Sequence, residues 1–121
     1  MFRMRRLLLL FVLMPGVALA NSPRVVGIEA MSQDGTWRFD VAVEHADEGW
    51  DHYADAWQIL GADDTVLGTR ELVHPHVDEQ PFTRSLSGVN LPQDLTQVRI
   101  RAHDSVHGWG EAVTFDLPDQ P

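Results

Sequence analysis

The segment Thr36-Trp-Arg-Phe-Asp-Val-Ala-Val-Glu-His45 decides the fold class, because apolar and polar residues alternate along it. The large apolar residues share one parity and the charged residues share the other: Trp37, Phe39, Val41 and Val43 against Arg38, Asp40 and Glu44. A period of two over this length is typical of a β-strand with one buried face. The segment therefore predicts a strand whose apolar face lies in a core.

Similar segments recur on both sides of it, separated by turn residues such as Gly61-Ala-Asp-Asp64 and by Pro75 and Pro81. Strands are predicted at Arg24–Ala30, Thr36–His45, Tyr53–Ile59, Thr65–His74, Phe82–Leu91, Thr96–His103 and Glu111–Leu117. No segment has a sustained helical period, so the pattern favours an all-β fold. Seven short strands in one domain are the number expected of an antiparallel, immunoglobulin-like sandwich, with Trp37 and Trp57 in its core.

The segment Val98-Arg-Ile-Arg-Ala-His-Asp-Ser-Val-His-Gly-Trp-Gly110 resembles the sixth strand and following loop of fibronectin type III domains. Trp57, on the third predicted strand, fits the buried tryptophan of immunoglobulin-like cores. The resemblance covers about the last third of the chain and implies a β-sandwich. It implies no particular reaction, because this family includes adhesion, receptor and accessory modules.

Residues 1–20 have the pattern of a secretory signal peptide. Three arginines precede the apolar run Leu7–Met14, and Ala18-Leu-Ala20 ends the segment. The apolar run is too short for a permanent membrane helix. We expect cleavage after Ala20, a single domain over residues 21–121, and a periplasmic or secreted protein without a stable membrane anchor.

Composition excludes several classes of function. Residues 21–121 hold six Arg and 18 Asp and Glu, a net charge of −12 with His neutral. Such an acidic protein repels nucleic acid and anionic lipid. The absence of cysteine excludes disulfides, thiol catalysis, thiolate metal sites and a lipid-modified cysteine. Ser105 has no Gly-x-Ser-x-Gly context, so serine catalysis is not expected. A metal-dependent enzyme would need an open coordination position and a substrate cleft, and neither can be read from the sequence, so we expect a protein that is not an enzyme.

The histidines are concentrated at one end of the predicted sandwich. Successive loops of this architecture alternate between two ends, so the loops Ala46–His52, Pro75–Pro81 and Asp104–Gly110 share one end. All six histidines lie in these loops or at the strand ends that lead into them: His45, His52, His74, His76, His103 and His107. We call this end of the domain the histidine pole.

Imidazole and carboxylate groups are ligands for divalent transition metals, and Cu or Zn is the expected ion. His74 and His76 lie two residues apart in an extended segment, which is a common half-site. The predicted ligands are His74, His76, His103 and His107, with His52 contributing or supporting. Asp51 and Asp104 are predicted to orient the rings.

Two other interpretations of the histidine pole stay open at this point. The histidines and their neighbouring acids can form a structural hydrogen-bond network that fixes the loops. Alternatively, the acidic and aromatic residues of the pole can dock another exported protein without a metal, since exposed aromatic side chains anchor interfaces. Trp50, Tyr53 and Trp109 are the aromatic residues of that second interpretation.

Overall fold

The computed structural model describes residues 22–119, which form two antiparallel sheets. The predicted signal peptide and its cleavage site lie outside the described residues. The strands are β1 (Arg24–Gln33), β2 (Thr36–Glu44), β3 (Ala54–Leu60), β4 (Val66–Glu71), β5 (Phe82–Val89), β6 (Gln97–Asp104), β7 (Gly108–Trp109) and β8 (Val113–Asp116). A 3-10 turn, Ala62–Asp64, joins β3 to β4. The prediction of an all-β, two-sheet antiparallel fold is confirmed.

One sheet has the strand order β1-β2-β5, and the other has the order β4-β3-β6-β7, with β8 also paired to β6. Each of the seven predicted segments overlaps an observed strand. The structure adds an eighth, two-residue strand where the sequence predicted only a loop. Gly108 and Trp109 form it by pairing with Asp104 and His103. Along the described chain, no helix is long and apolar enough to cross a membrane.

The hairpin between β1 and β2 sets the register of the first sheet. Asp34 and Gly35 both have positive φ angles, 51° and 87°. That combination is typical of the tight turns that match the right-handed twist of paired strands. The resulting register places the apolar parity of β2 against the second sheet, and Phe39, Val41 and Val43 are fully buried.

The core consists of the inward faces of β2, β3 and β6, with contributions from the flanking strands. Trp57 is fully buried and Trp37 is 5% exposed, as predicted. At the histidine pole the same inward faces end in polar residues rather than apolar ones. His45 comes two residues after Val43, and Asp104 comes two residues after Ala102, so each continues the inward face of its strand. Both polar side chains are buried. The core therefore ends in an ionisable cluster.

Candidate metal site at the histidine pole

Asp104, the last residue of β6, occupies the centre of the cluster and is fully buried. Its Oδ1 accepts hydrogen bonds from the backbone N–H groups of Val106 and His107. Three imidazole nitrogens surround its Oδ2: His45 Nε2 at 3.0 Å, His52 Nε2 at 3.3 Å and His107 Nδ1 at 3.1 Å. The three rings come from the end of β2 and from two different loops, so this carboxylate joins both sheets.

Asp104 remains ionised despite its position. Burial alone would raise the pKa of the Asp104 carboxyl. Hydrogen bonds from the backbone and ring of His107, from the backbone of Val106 and from the ring of His52 outweigh burial, and they hold this pKa well below its usual range. The centre of the cluster is therefore an anion.

Carboxylates flank both nitrogens of two of these rings. His45 Nδ1 lies 2.6 Å from Asp47 Oδ1, opposite the nitrogen that faces Asp104. His52 Nδ1 lies 2.8 Å from Glu48 Oε1, and the hydrogen bond with Glu48 raises the pKa of His52 above its usual value. A carboxylate on the far nitrogen is the usual support of a metal-bound histidine, because it fixes the ring and its tautomer.

Asp47 also ties the surrounding loops together. Its side chain is fully buried, Oδ1 accepts the N–H of Ala54 at 3.0 Å, and Oδ2 accepts the N–H of His76 at 2.7 Å. One carboxylate thus contacts the start of β3, the loop before β5 and the ring of His45. These separate segments therefore share one buried acceptor.

The structure places His74 and His76 beside this cluster but not in it. Their rings are adjacent, with centroids 4.6 Å apart, as the alternating pattern predicted. The ring of His76 stacks on Phe82 at 3.9 Å, and its Nε2 lies 2.9 Å from the Arg84 guanidinium. Burial, followed by the positive charge of Arg84, lowers the pKa of His76. His74 Nδ1 contacts only the carbonyl of Pro75, at 3.1 Å.

His103 lies on the opposite face of β6 from Asp104, because consecutive side chains of a strand alternate between faces. Its Nδ1 is 2.6 Å from Asp55 Oδ1, and its ring meets Trp109 edge-on with centroids 4.7 Å apart. Asp51 is exposed, whereas Asp104, expected only to orient rings, is central to the cluster. Trp50 is 67% exposed and meets Tyr53 edge-on.

Among residues 22–119, the group of three metal-ligating side chains that the structure brings together is His45, His52 and Asp104, whose ligand atoms all lie within 4.8 Å of one another. His107 approaches the same Asp104 oxygen. The predicted set included His52 and His107 but lacked His45, Asp47 and Glu48. The sequence could have indicated His45 as an inward residue, since His45 has the same parity as the inward residues from Trp37 to Val43.

No family model matches the sequence. The chain is 41% identical over 94 residues to a protein of Halomicrobium mukohataei named "Putative lipoprotein", and the match covers 76% of this chain and 46% of that protein. The chain thus spans about half the length of the curated relative that it matches.

Two solved structures are similar in fold. A hypothetical protein from Pyrococcus horikoshii OT3 has a TM-score of 0.52 at 11% identity, covering 80% of this chain and 88% of that one. Superoxide reductase (neelaredoxin) from Archaeoglobus fulgidus has a TM-score of 0.49 at 12% identity, covering 83% and 91%. At such low identity the first likeness shows the fold alone.

Proposed function

We propose that this protein is an exported, non-enzymatic binding module that takes up a divalent transition metal, Cu(II) or Zn(II). The ligands are His45, His52, His107 and Asp104. The observation that carries the proposal is the approach of three imidazole nitrogens to within 3.3 Å of one buried carboxylate oxygen. His74, His76 and His103 are not ligands of this ion in the proposal.

The spacing of the donor atoms supports it. Two donors that each lie about 2.0–2.1 Å from a tetrahedral zinc ion are about 3.3–3.4 Å apart. The separations of 3.0, 3.3 and 3.1 Å between Asp104 Oδ2 and the nitrogens of His45, His52 and His107 are close to that value. Among the donors, the ligand atoms of His45, His52 and Asp104 all lie within 4.8 Å of one another, and His107 approaches this group through the same Asp104 oxygen.

The charges of the cluster support the same conclusion. Without a cation, His45 faces a carboxylate at each ring nitrogen, and so does His52. A neutral imidazole has one N–H and can donate to only one of the two carboxylates, so the second contact needs either a second ring proton or a cation at that nitrogen. With a cation, the Nε2 lone pairs bind the ion and the Nδ1–H groups donate to Asp47 and Glu48.

The donor set favours binding over catalysis. Three imidazoles and one carboxylate occupy the four positions of a tetrahedral site, whereas catalytic zinc sites keep one position open. Nitrogen and oxygen donors without a thiolate suit Zn(II) and Cu(II). The His107 side chain is 40% exposed and that of His52 is 15% exposed, so the ion would enter from the loop side.

Calorimetric titration of EDTA-treated protein with Zn(II) and Cu(II) tests the proposal. We expect one ion per chain, and we expect His107→Gln to weaken binding at least about tenfold, since even supporting residues contribute that much. His74→Gln is the matched control, because this loop histidine contacts the Pro75 carbonyl and the His76 ring but none of the four proposed ligands. Unchanged binding in His107→Gln, or an equal loss in His74→Gln, would contradict the assignment.

A second candidate function is docking to another exported protein through the same pole. The supporting observation is the exposure of large apolar side chains there: 67% for Trp50, 58% for Val106 and 55% for Val77. Interfaces depend on such anchors. A partner captured by metal-free protein and lost with Trp50→Ala would favour this candidate, whereas capture that needs the metal would favour the first.

We propose that the protein is exported, because residues 1–20 have the pattern of a signal peptide. The name of the Halomicrobium mukohataei relative supports this. This sequence has no cysteine to carry a lipid, so we propose a free periplasmic or secreted domain. N-terminal sequencing of the mature protein tests it, and the expected first residue is Asn21.

We also propose an immunoglobulin-like, fibronectin type III-like sandwich, built from the seven longer strands. The division into β1-β2-β5 and β4-β3-β6-β8 supports it, because this gives sheets of three and four strands around a buried Trp57. An experimental structure in which β8 does not pair with β6 would contradict this assignment.

A further inference from the structure

The outer face of the second sheet carries a groove of about 490 Å³ beside the histidine pole. The cross-strand register explains it. Glu71, Ala56, His103 and Trp109 stand opposite one another on β4, β3, β6 and β7. The small side chain of Ala56 lies between the larger side chains of Glu71 and His103, so the surface of the sheet is depressed at Ala56. The polar and aromatic lining includes Tyr53, Asp55, Gln58, Glu71, His103 and Trp109.

A β-bulge brings a carboxylate into this groove. The pairing of β3 with β6 shifts between Ala54 and Ala56, so Asp55 is the extra residue. Its side chain therefore joins the outer face, where Oδ1 lies 2.6 Å from His103 Nδ1. Bulges commonly redirect a side chain at binding sites.

The groove wall is held in place by a chain of contacts across the sheet. The Arg101 guanidinium lies 4.2 Å from the ring centre of Trp109 and donates to Gln58 Oε1 at 3.0 Å. Gln58 Nε2 in turn lies 3.3 Å from the Thr69 hydroxyl. The indole and the amide are thus oriented before any ligand arrives, which reduces the entropy lost on binding.

Several groups that face the groove have unused hydrogen-bonding capacity. Within residues 22–119 the Glu71 carboxylate, the Tyr53 hydroxyl and His103 Nε2 make no side-chain hydrogen bond to the protein. Trp109 is 39% exposed, so part of its ring is available to a ligand. The groove therefore offers donors, acceptors and an aromatic surface together.

We propose that this groove binds an uncharged carbohydrate chain, with a sugar ring against Trp109 and hydroxyl groups on Glu71, His103 and Tyr53. A sugar hydroxyl both donates and accepts, and a sugar ring has an apolar face, so this ligand uses every group named. Asp55 and Glu71 repel anionic ligands such as uronates or phosphates. The volume falls within the range of small-molecule sites, about 300–1,000 Å³. The inference does not depend on metal binding at the pole.

The test measures binding of EDTA-treated protein to an array of uncharged, uronate and sialylated glycans. Binding of choline, a cationic probe, is measured separately in solution. We expect binding to uncharged glycans and at least about tenfold weaker binding to anionic ones, a difference of about 1.4 kcal/mol. The ligand is then titrated into ¹⁵N-labelled protein, and we expect shifts of the Trp109 indole N–H and of the amides of residues 53–58.

Variants locate the site. Trp109→Ala and Glu71→Gln should each weaken binding at least about tenfold. Glu29→Gln, which removes the same charge from an exposed position on β1 in the other sheet, should not change it. The proposal is overturned if no uncharged glycan binds, if choline or an anionic glycan binds more tightly, or if the shifts centre elsewhere. Chemical-shift mapping of the unmodified protein decides the matter if Trp109→Ala does not fold.

Discussion

Asp47→Ala tests whether the histidine pole stabilises the fold in the absence of any ion. The substitution removes three hydrogen bonds at once, those from the N–H groups of Ala54 and His76 and that with the ring of His45. A buried N–H without an acceptor costs about 1–3 kcal/mol, and a hydrogen bond to a charged group contributes about 1.5–3 kcal/mol. We therefore expect the free energy of unfolding to fall by about 4 kcal/mol.

That loss is large beside the total stability of a small domain, about 5–15 kcal/mol. Asp47→Asn should cost about half as much, because the amide oxygen still accepts one backbone N–H while the amide nitrogen faces the other. Asp78→Ala is the matched control. It removes an exposed carboxylate from the neighbouring loop, and we expect a change below about 0.5 kcal/mol.

The assay is urea denaturation in EDTA, followed by tryptophan fluorescence, with the slope of each transition compared between variants. A loss below about 1 kcal/mol in Asp47→Ala, at an unchanged slope, would refute the reasoning. It would mean that water replaces the carboxylate and that the loops are not held by it. A large loss shared by Asp78→Ala would refute it as well, since burial would then not be the cause.

Two further predictions concern other parts of the domain. Hydrogen bonds from Ser85 and Arg38 lower the pKa of Asp40. The contribution of Asp40 to stability is therefore complete above the unfolded pKa of about 3.8 and is lost as the pH falls through the lower folded pKa. Asp40→Asn should reduce this loss of stability in urea titrations between about pH 2 and 5, and an unchanged pH dependence would contradict the prediction. A Cβ on Gly110 would collide with the backbone carbonyl of Pro23, so Gly110→Ala should cost about 1–3 kcal/mol, measured by thermal unfolding, and an unchanged midpoint would contradict that.

Period-two alternation was sufficient to predict the two-sheet fold. The parity of β2 needed no tertiary information, because the large apolar residues of the segment all lie on the same side. The strand of Gly108 and Trp109 was missed for a physical reason. Two residues carry no period, and their pairing depends on the turn after Asp104, which local sequence does not determine.

The site was predicted less well than the fold. Concentration of the histidines at one pole could be read from loop order, but the choice among them depended on which face each occupies. Parity favours His45 and Asp104 as inward residues, since each comes two residues after an inward residue, Val43 or Ala102. The same parity assigns His103 to the outer face. Strand periods give no information about His52 and His107, because both lie in loops whose backbone follows no repeat.

The position of the cluster has an energetic consequence. Buried ionic groups contribute little net stability, and replacing them with apolar residues of similar size is often neutral or stabilising. β2 and β6 present buried apolar residues along their inward faces and then change to His45 and Asp104 at the same end. This small domain has no disulfide to offset the desolvation of these groups. A bound cation would supply that offset, because it interacts favourably with the buried carboxylates of Asp47 and Asp104 only in the folded state.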